Sequence, residues 1–293
     1  MRIGAHVRTA HGLVDAVCYA RDVGCETIQV FAKSPLQWSG PARSDEEVAR
    51  FHEALRDAGV GLAATHAAYL INLSSDDDAL WNRSVAALAE EIGLAHRLGA
   101  PSVVVHLGSS PRPAETARSR AASAIAEALR ATAGTSAAVL LENAAGAGRT
   151  FGWRSEDVAA VYAAIEPSLR MRVGVCVDTC HAYAAGYDLR SSRGWDALLR
   201  PLSDHGAPVR LVHANDALGG LGSRRDRHAW IGDGAIGLEG FAHLFARPEL
   251  ENADVVIEMP GEPPQKDAVN VTRLKALRSS QGGSLQNWLR PRP

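Results

Sequence analysis

A chain of 293 residues with 46% hydrophobic and 22% charged residues can bury a large core, which excludes an intrinsically disordered protein. The formal net charge of -2 gives no overall basic character, so composition alone does not indicate a nucleic-acid binder. No apolar run approaches the roughly 18 residues that a membrane span needs, and no secretory signal opens the sequence. We therefore expect a soluble, cytoplasmic protein with no membrane partner, whose four cysteines are reduced.

Eight short apolar runs alternate with eight longer segments of helical character. The runs span residues 2–6, 27–31, 61–66, 102–106, 138–142, 173–178, 209–213 and 254–258. The helical segments span residues 11–23, 45–58, 77–98, 114–133, 155–166, 192–204, 239–246 and 267–278. Eight such units without a linker predict a single (β/α)8 TIM barrel over residues 1–278, followed by a loose tail over 279–293.

A doubly wound parallel sheet is the alternative arrangement of alternating strands and helices. Such a sheet rarely contains eight regular units, and it usually has a Gly-rich turn after its first strand. Here the first run is followed by His6-Val-Arg-Thr-Ala-His-Gly12, which lacks that pattern. The barrel is therefore the predicted fold.

Most of the apolar runs end on a histidine or a carboxylate. These terminal residues are His6, His66, His106, Glu142, Asp178, His213 and Glu258. The C-terminal ends of all strands in a barrel meet on one face, where active sites are built, so we expect these side chains to converge. Buried imidazoles and carboxylates in such number need protons or metal ions to offset the cost of leaving water. The sequence therefore predicts a metal site on this face.

Two further segments add side chains of the same types. His181 follows Asp178 by three residues, and Asp226-Arg-His228 places two side chains on the same side of an extended segment. The predicted metal ligands are His66, His106, Glu142, Asp178, His181, His213, Asp226, His228 and Glu258. One ion takes about four protein ligands, so this set predicts two or three ions, and its mixture of imidazole and carboxylate favours zinc or manganese. His6 is placed to support the ligands from outside the set.

Clustered metal ions suit phosphoester hydrolysis, because they activate water and stabilise the leaving oxygen. Two long segments are more specific: Asp178-Thr-Cys-His-Ala-Tyr-Ala-Ala-Gly-Tyr-Asp188 and Gly222-Ser-Arg-Arg-Asp-Arg-His228. Shorter ones are Phe31-Ala-Lys-Ser-Pro-Leu-Gln-Trp38, Thr65-His-Ala-Ala-Tyr-Leu-Ile-Asn-Leu73 and Leu141-Glu-Asn-Ala-Ala-Gly146. Over nearly its whole length the sequence resembles the endonuclease IV family, the metal-dependent apurinic/apyrimidinic endonucleases of base excision repair.

The resemblance implies a site for three zinc ions, with manganese as the alternative metal. Glu142 would bridge two of the ions. One of these would be completed by His66 and His106, the other by Asp178, His213 and Glu258, and the third ion would take His181, Asp226 and His228.

The resemblance also implies the reaction. A metal-activated hydroxide would hydrolyse the phosphodiester on the 5′ side of an abasic or damaged site in double-stranded DNA and leave a 3′-hydroxyl. The catalytic residues would be Glu142, Asp178 and Glu258. We expect the enzyme to work as a monomer.

The candidate DNA contacts depart from the family pattern more than the ligands do. They are Leu36, Tyr69, Arg224, Arg225 and Arg227. Family members often have an arginine at the position of Leu36 and a lysine at the position of Leu218. Tyr69 is a candidate for stacking or wedging against bases.

Two other functions are compatible with parts of the pattern. Sugar isomerases and epimerases of the related xylose-isomerase-like barrels use a quartet that Glu142, Asp178, His213 and Glu258 match. They have no need of His181 together with Asp226 and His228, which favours the nuclease. A lesion sensor with weak catalysis is the third reading, motivated by the loop departures.

Overall fold

A computed structural model describes residues 1–40, 43–259 and 264–280, and the parallel strands within them close into a barrel. The barrel strands are β1 (Ile3–Val7), β2 (Thr27–Phe31), β3 (Gly61–His66), β4 (Ser102–His106), β5 (Ala138–Glu142), β6 (Val173–Asp178), β7 (Val209–His213) and β10 (Asp254–Ile257). Strand β1 pairs with β2 on one side and with β10 on the other, which closes the ring. The predicted barrel is confirmed.

Helices cover the outside of the barrel. They are α1 (Leu13–Asp22), α2 (Asp45–Ala58), α3 (Asp78–Arg97), α4 (Ala114–Ala131), α5 (Ser155–Ala164), α6 (Pro167–Arg170), α7 (Thr179–Ala185), α8 (Ser192–Asp204), α9 (Gly237–Phe245) and α10 (Pro264–Ser279). Helix α2 begins where Ser44 accepts a hydrogen bond from the Glu47 N–H, and it ends at Gly59 in the left-handed conformation. Among the described residues, no helix combines the length and apolar character needed to cross a bilayer.

Strand alternation explains why the ligand candidates face inward. The centre of the barrel is filled by a small apolar cluster that comprises Ala63, Ala64, Val104, Leu140, Cys176, Leu211 and Val256. Side chains two residues apart on a strand share a face, so Val104 and His106 point the same way, as do Leu140 and Glu142. The polar groups therefore form the next layer of side chains after this apolar cluster, at the C-terminal ends of the strands.

Three further elements, two of them near this face, were not predicted. Helix α7 starts directly after β6, and Asp178 caps it by accepting a hydrogen bond from the His181 N–H at 2.6 Å. A two-stranded antiparallel hairpin, β8 (Asp216–Ala217) and β9 (His228–Ala229), frames the loop that contains Asp226. The short helix α6 precedes β6. Of the predicted tail, Ser279 still belongs to α10, and residues 281–293 lie outside the described part of the chain.

Candidate metal centre

The first group of donor atoms joins three neighbouring strands. His66, His106 and Glu142 stand at the ends of β3, β4 and β5, and their ligand atoms lie within 4.8 Å of one another. The Glu142 Oε2 atom is 3.2 Å from His66 Nε2 and 3.3 Å from His106 Nε2. Two imidazole nitrogens thus face Oε2 of Glu142, and this group leaves Oε1 of Glu142 unused.

The second group shares Glu142 with the first. It adds Asp178, His213 and Glu258, and its donor atoms again lie within 4.8 Å of one another. His213 Nδ1 is 3.0 Å from Glu142 Oε1 and 3.1 Å from Glu258 Oε2. Because the two oxygens of Glu142 face different groups, this carboxylate has the geometry of a bridge.

The third group lies on α7 and the hairpin loop. Asp226 Oδ2 is 3.3 Å from His181 Nε2, and Asp226 Oδ1 is 3.1 Å from His228 Nε2. The donor atoms of His181 and His228 also lie within 4.8 Å of a donor atom of Asp178, which connects this group to the second. All nine ligand candidates therefore meet in one continuous cluster.

The ring orientation of three histidines is set by backbone carbonyls. The Nδ1–H groups of His66, His181 and His228 donate to the carbonyl oxygens of Ala67, Asn143 and Glu258 at 2.8, 2.9 and 2.7 Å, respectively. A carbonyl oxygen can only accept, so Nδ1 bears a proton, and Nε2 of each ring points into the cluster, where its lone pair is available in the neutral form. This is the arrangement that metal-binding histidines require.

The electrostatics of the cluster favours the ionised form of Glu142, whereas burial raises the pKa of the Asp178 carboxyl. Burial raises the pKa of the Glu142 carboxyl, but the imidazoles of His106 and His213 outweigh this and hold the pKa well below its usual range. Burial lowers the pKa of His106 to about 4, so this imidazole is neutral at neutral pH. Burial also lowers the pKa of His181, but nearby carboxylates led by Asp178 outweigh it and raise that pKa to about 10. Metal ions would replace protons at such positions.

The residues present fit divalent metal ions. Nitrogen and carboxylate oxygen donors are the ligand types that zinc and manganese prefer, and each group supplies three or four of them. His228 Nε2 is buried and has no hydrogen-bond partner, although it points at the donor atoms of the third group. A buried nitrogen without a partner is costly unless an ion occupies the space in front of it.

Cys180 lies beside the third group without the properties of a ligand. Its Sγ is close to donor atoms of Asp226 and His228. Burial raises the pKa of the thiol, and Sγ–H donates to the carbonyl oxygen of Arg227 at 3.5 Å. A protonated, hydrogen-bonded thiol is a packing group.

Three buried amides that were not predicted form hydrogen bonds to the ligand candidates. Gln29 accepts from His213 Nε2 and donates to Glu258 Oε1, both at 2.9 Å. The Asn143 side chain donates to the carbonyl oxygen of Asp178 and accepts from the backbone N–H of Asp178. Asn215 Nδ2 donates to Asp178 Oδ2 at 2.6 Å, and its Oδ1 accepts from the backbone N–H of Glu258. The available signal was position, since Asn143 directly follows Glu142 and Gln29 interrupts an apolar run.

We expect Asn215→Ala to weaken metal binding by about 10–100-fold, the range for residues that orient metal ligands. The substitution removes the donor to Asp178 and the acceptor for the Glu258 backbone together. Titration of metal-free protein with zinc against a chromophoric chelator measures the change. An affinity equal to that of the unchanged protein would show that the two carboxylates hold their positions without the amide.

Two predicted DNA contacts lie on loops that follow barrel strands on the same face as the cluster. Tyr69 is 58% exposed, and its ring packs edge-on against Phe31 and His66 with centroid distances of 5.6 and 5.7 Å. Leu36 is 72% exposed on the loop that follows β2. Both side chains can therefore be reached by a large substrate.

The three predicted arginine contacts lie on the hairpin loop. Arg225 and Arg227 are exposed, and the Arg227 guanidinium donates to the carbonyl oxygen of Asp226. Arg224 is also exposed, but its guanidinium lies over the ring of Trp153, 4.8 Å from the centroid. The three arginines thus lie next to the ligand candidate Asp226 in sequence, on one exposed loop.

A cavity of 560 Å³ opens above the cluster. Ligand candidates from all three groups line it, together with Arg8, Phe31, Tyr69 and Met259. A second cavity of 470 Å³ borders it and shares Tyr69, His106, His181 and Asp226. The donor atoms are therefore reachable from solvent through an open mouth, which suits a reaction on a polymer.

The chain is similar over almost its whole length to proteins of known family. The xylose isomerase-like TIM barrel family matches residues 17–279. An endonuclease 4 from Thermus thermophilus is 42% identical over 281 residues, which cover 94% of this chain and 97% of that protein. A crystal structure of endonuclease IV from Thermus thermophilus has a TM-score of 0.80 at 36% identity and covers 96% of this chain and 100% of that one. The chain belongs to the endonuclease IV family.

Other relatives agree with this assignment. A probable endonuclease 4 from Methanoculleus marisnigri is 36% identical over 278 residues, which cover 94% of this chain and 98% of that protein. A D-tagatose 3-epimerase-like protein has a TM-score of 0.72 at 17% identity and covers 97% of this chain and 100% of that one, a likeness that shows a shared fold alone. The predicted resemblance is confirmed. As an endonuclease IV family member, this chain is a hydrolytic DNA repair nuclease.

Proposed function

We propose that this endonuclease IV family member hydrolyses the phosphodiester on the 5′ side of abasic sites in double-stranded DNA and leaves a 3′-hydroxyl. The observation that carries the proposal is the continuous cluster of three donor groups under an open cavity at the C-terminal face of the barrel. Relatives with the name endonuclease 4 cover almost the whole chain, so the cluster and the nuclease relationship concern the same residues.

The cluster would hold three zinc ions, with manganese as the alternative. His66 and His106 would serve one ion, Asp178, His213 and Glu258 a second, with Glu142 between them, and His181, Asp226 and His228 the third. When bound, such ions lower the pKa of a coordinated water and stabilise charge on a phosphodiester. Glu142, Asp178 and Glu258 contribute ionisable oxygens at the centre of the cluster, which makes them the catalytic carboxylates of the proposal.

The exposed side chains on this face of the barrel support DNA as the substrate. Exposed Arg225 and Arg227 place positive charge beside the cavity mouth, where a phosphate backbone would run. Tyr69 offers an exposed ring directly above His66, and a sugar without its base stacks weakly enough to leave the helix. Leu36 would contact the same duplex through its apolar side chain. These groups surround one lesion and require no second subunit, so we propose a monomer.

The alternative as a sugar epimerase has weaker support. The quartet Glu142, Asp178, His213 and Glu258 is present, but the epimerase-like structures resemble this chain at the level of fold. The third group would have no role in an isomerisation that needs one or two ions. Nuclease chemistry uses the complete cluster.

The test is a nicking assay on a duplex that contains one abasic analogue, combined with elemental analysis of the protein. We expect about three zinc ions per chain and cleavage 5′ of the lesion that stops when a chelator is added. An undamaged duplex of the same sequence is the control. Ketose epimerisation without nicking, with one or two ions per chain, would overturn the proposal.

A further inference from the structure

The third donor group depends on the least buried ligand of the cluster. The side chain of Asp226 is 56% exposed, whereas those of Glu142 and His213 are 1% and 0% exposed. Asp226 also lies on a loop between the short strands β8 and β9, while most of the other ligands stand on barrel strands. Core packing cannot fix such a side chain, so other contacts must hold its loop.

Backbone hydrogen bonds attach this loop to α7. The N–H groups of Gly222 and Arg224 donate to the carbonyl oxygens of Tyr183 and Ala184 at 3.1 and 2.9 Å. Because α7 also bears His181, these two bonds set the distance between the loop and one of its partners in the third group. The Leu218 N–H also donates to the carbonyl oxygen of Arg227 at the base of the loop, and a contact on the outer side of the loop would restrict it further.

Arg224 has an unusual backbone conformation. Its φ is 54°, and no other residue except glycine has a positive φ among the described parts of the chain. A non-glycine residue in the left-handed region is strained, and it persists when surrounding contacts determine its conformation. An arginine occupies this position although a glycine would adopt the same backbone conformation with less strain. This points to a use for the arginine side chain.

The side chain of Arg224 reaches across to the loop after β5. Its guanidinium carbon lies 4.8 Å from the centroid of the Trp153 ring, and the guanidinium of Arg154 lies 4.5 Å from the same centroid. The half-buried indole rests against a turn at Gly146, where a Cβ would come within 3.3 Å of the tryptophan side chain. Trp153 is thus a fixed aromatic surface for the guanidinium.

We propose that Trp153 is a positioning residue for Asp226 and His228, acting through Arg224. The indole contacts the loop through the guanidinium of Arg224, and α7 contacts it through the two backbone hydrogen bonds. Together these contacts orient Asp226 and His228 toward His181. The inference rests on the proposed metal role of the third group. Neither Trp153 nor Arg224 touches an ion or the substrate in this role.

The test is the zinc affinity of Trp153→Leu, measured as a stepwise titration of metal-free protein against a chromophoric chelator. We expect one of the three ions to bind about 10–100-fold more weakly, with the other two unchanged, because the first and second groups make no use of the loop. Trp81→Leu is the matched control, since the guanidinium of Arg120 lies over the Trp81 ring at 5.1 Å between α3 and α4, and neither residue contacts the hairpin loop through this pair.

Substitutions at Arg224 distinguish the effect of its contact with the Trp153 ring from the effect of its backbone conformation. Arg224→Leu should weaken the same ion as Trp153→Leu, whereas Arg224→Lys, which keeps a cation for the ring, should restore most of the affinity. Arg224→Gly relieves the positive φ but removes the stack, so it should also lose the ion. Because Arg224 is exposed, these variants test the proposal even if Trp153→Leu folds poorly.

The outcomes distinguish this inference from the proposed function. Weakening of one ion in both Trp153→Leu and Arg224→Leu supports the positioning role, whether or not the protein nicks abasic DNA. Three ions bound with unchanged affinity in both variants overturn it and leave the nuclease proposal standing. Equal weakening of all three ions also overturns it, because the effect would then be a general loss of structure.

Discussion

Replacing Glu142 by glutamine should reduce the nicking of an abasic duplex by about 10²–10³-fold, the scale on which loss of a preorganised electrostatic group affects hydrolysis. The two oxygens of this carboxylate face different donor groups, Oε2 toward His66 and His106 and Oε1 toward His213. Glutamine has nearly the same shape but lacks the negative charge that both groups share. Single-turnover cleavage with zinc in excess measures the loss.

The matched control is Glu26→Gln at the opposite end of the barrel. There Glu26 accepts hydrogen bonds from Arg278, which, partly offset by burial, lower the pKa of its carboxyl to about 2. Its replacement should cost a little stability and leave the nicking rate within about twofold, because surface ion pairs of this kind contribute roughly 1 kcal/mol or less. A Glu142→Gln variant that nicks at the original rate would show that Glu142 does not bridge the ions.

Removal of the metal ions should lower the melting temperature by at least about 5 °C as well as stop nicking. An ion present at 100 times its Kd stabilises the folded chain by about 2.7 kcal/mol per site. Each kcal/mol corresponds to roughly 2–4 °C for a domain of this size class. Differential scanning calorimetry before and after dialysis against a chelator measures the shift.

Zinc added back to the metal-free protein should restore both the melting temperature and the activity. Calcium at the same concentration is the control, since it prefers an all-oxygen environment over the imidazole-rich groups found here. If the melting temperature were the same with and without zinc, the nine side chains would have to satisfy one another in the folded chain, and the cluster would not be a metal centre.

The strands could be predicted from the sequence because each one is a short apolar run, and most of the predicted runs stop at a polar residue. The predicted runs 102–106, 138–142 and 209–213 coincide with β4, β5 and β7. The first strand begins at Ile3 instead of Arg2, whose guanidinium pairs with Asp254. Because a strand places every second side chain on the same face, the prediction of the strands also predicted which polar residues would meet.

The contacts that position the ligands could not be predicted in the same way. Asn215 touches Asp178 and Glu258, which are 37 and 43 residues away in sequence, and no periodic pattern marks such a triple contact. The approach of Arg224 to Trp153 depends on the conformations of two loops. Tertiary contacts between irregular segments are visible only when the barrel has brought the segments together.

The three donor groups differ in how much of the chain must exist before they are complete. His66, His106 and Glu142 are all in the first half of the sequence, whereas the group that contains Glu258 needs the strand that closes the barrel against β1. A ribosome releases the N-terminal half first. The centre is therefore completed during synthesis in a set order, with Glu142 gaining its second set of partners at the moment when the two ends of the polypeptide meet.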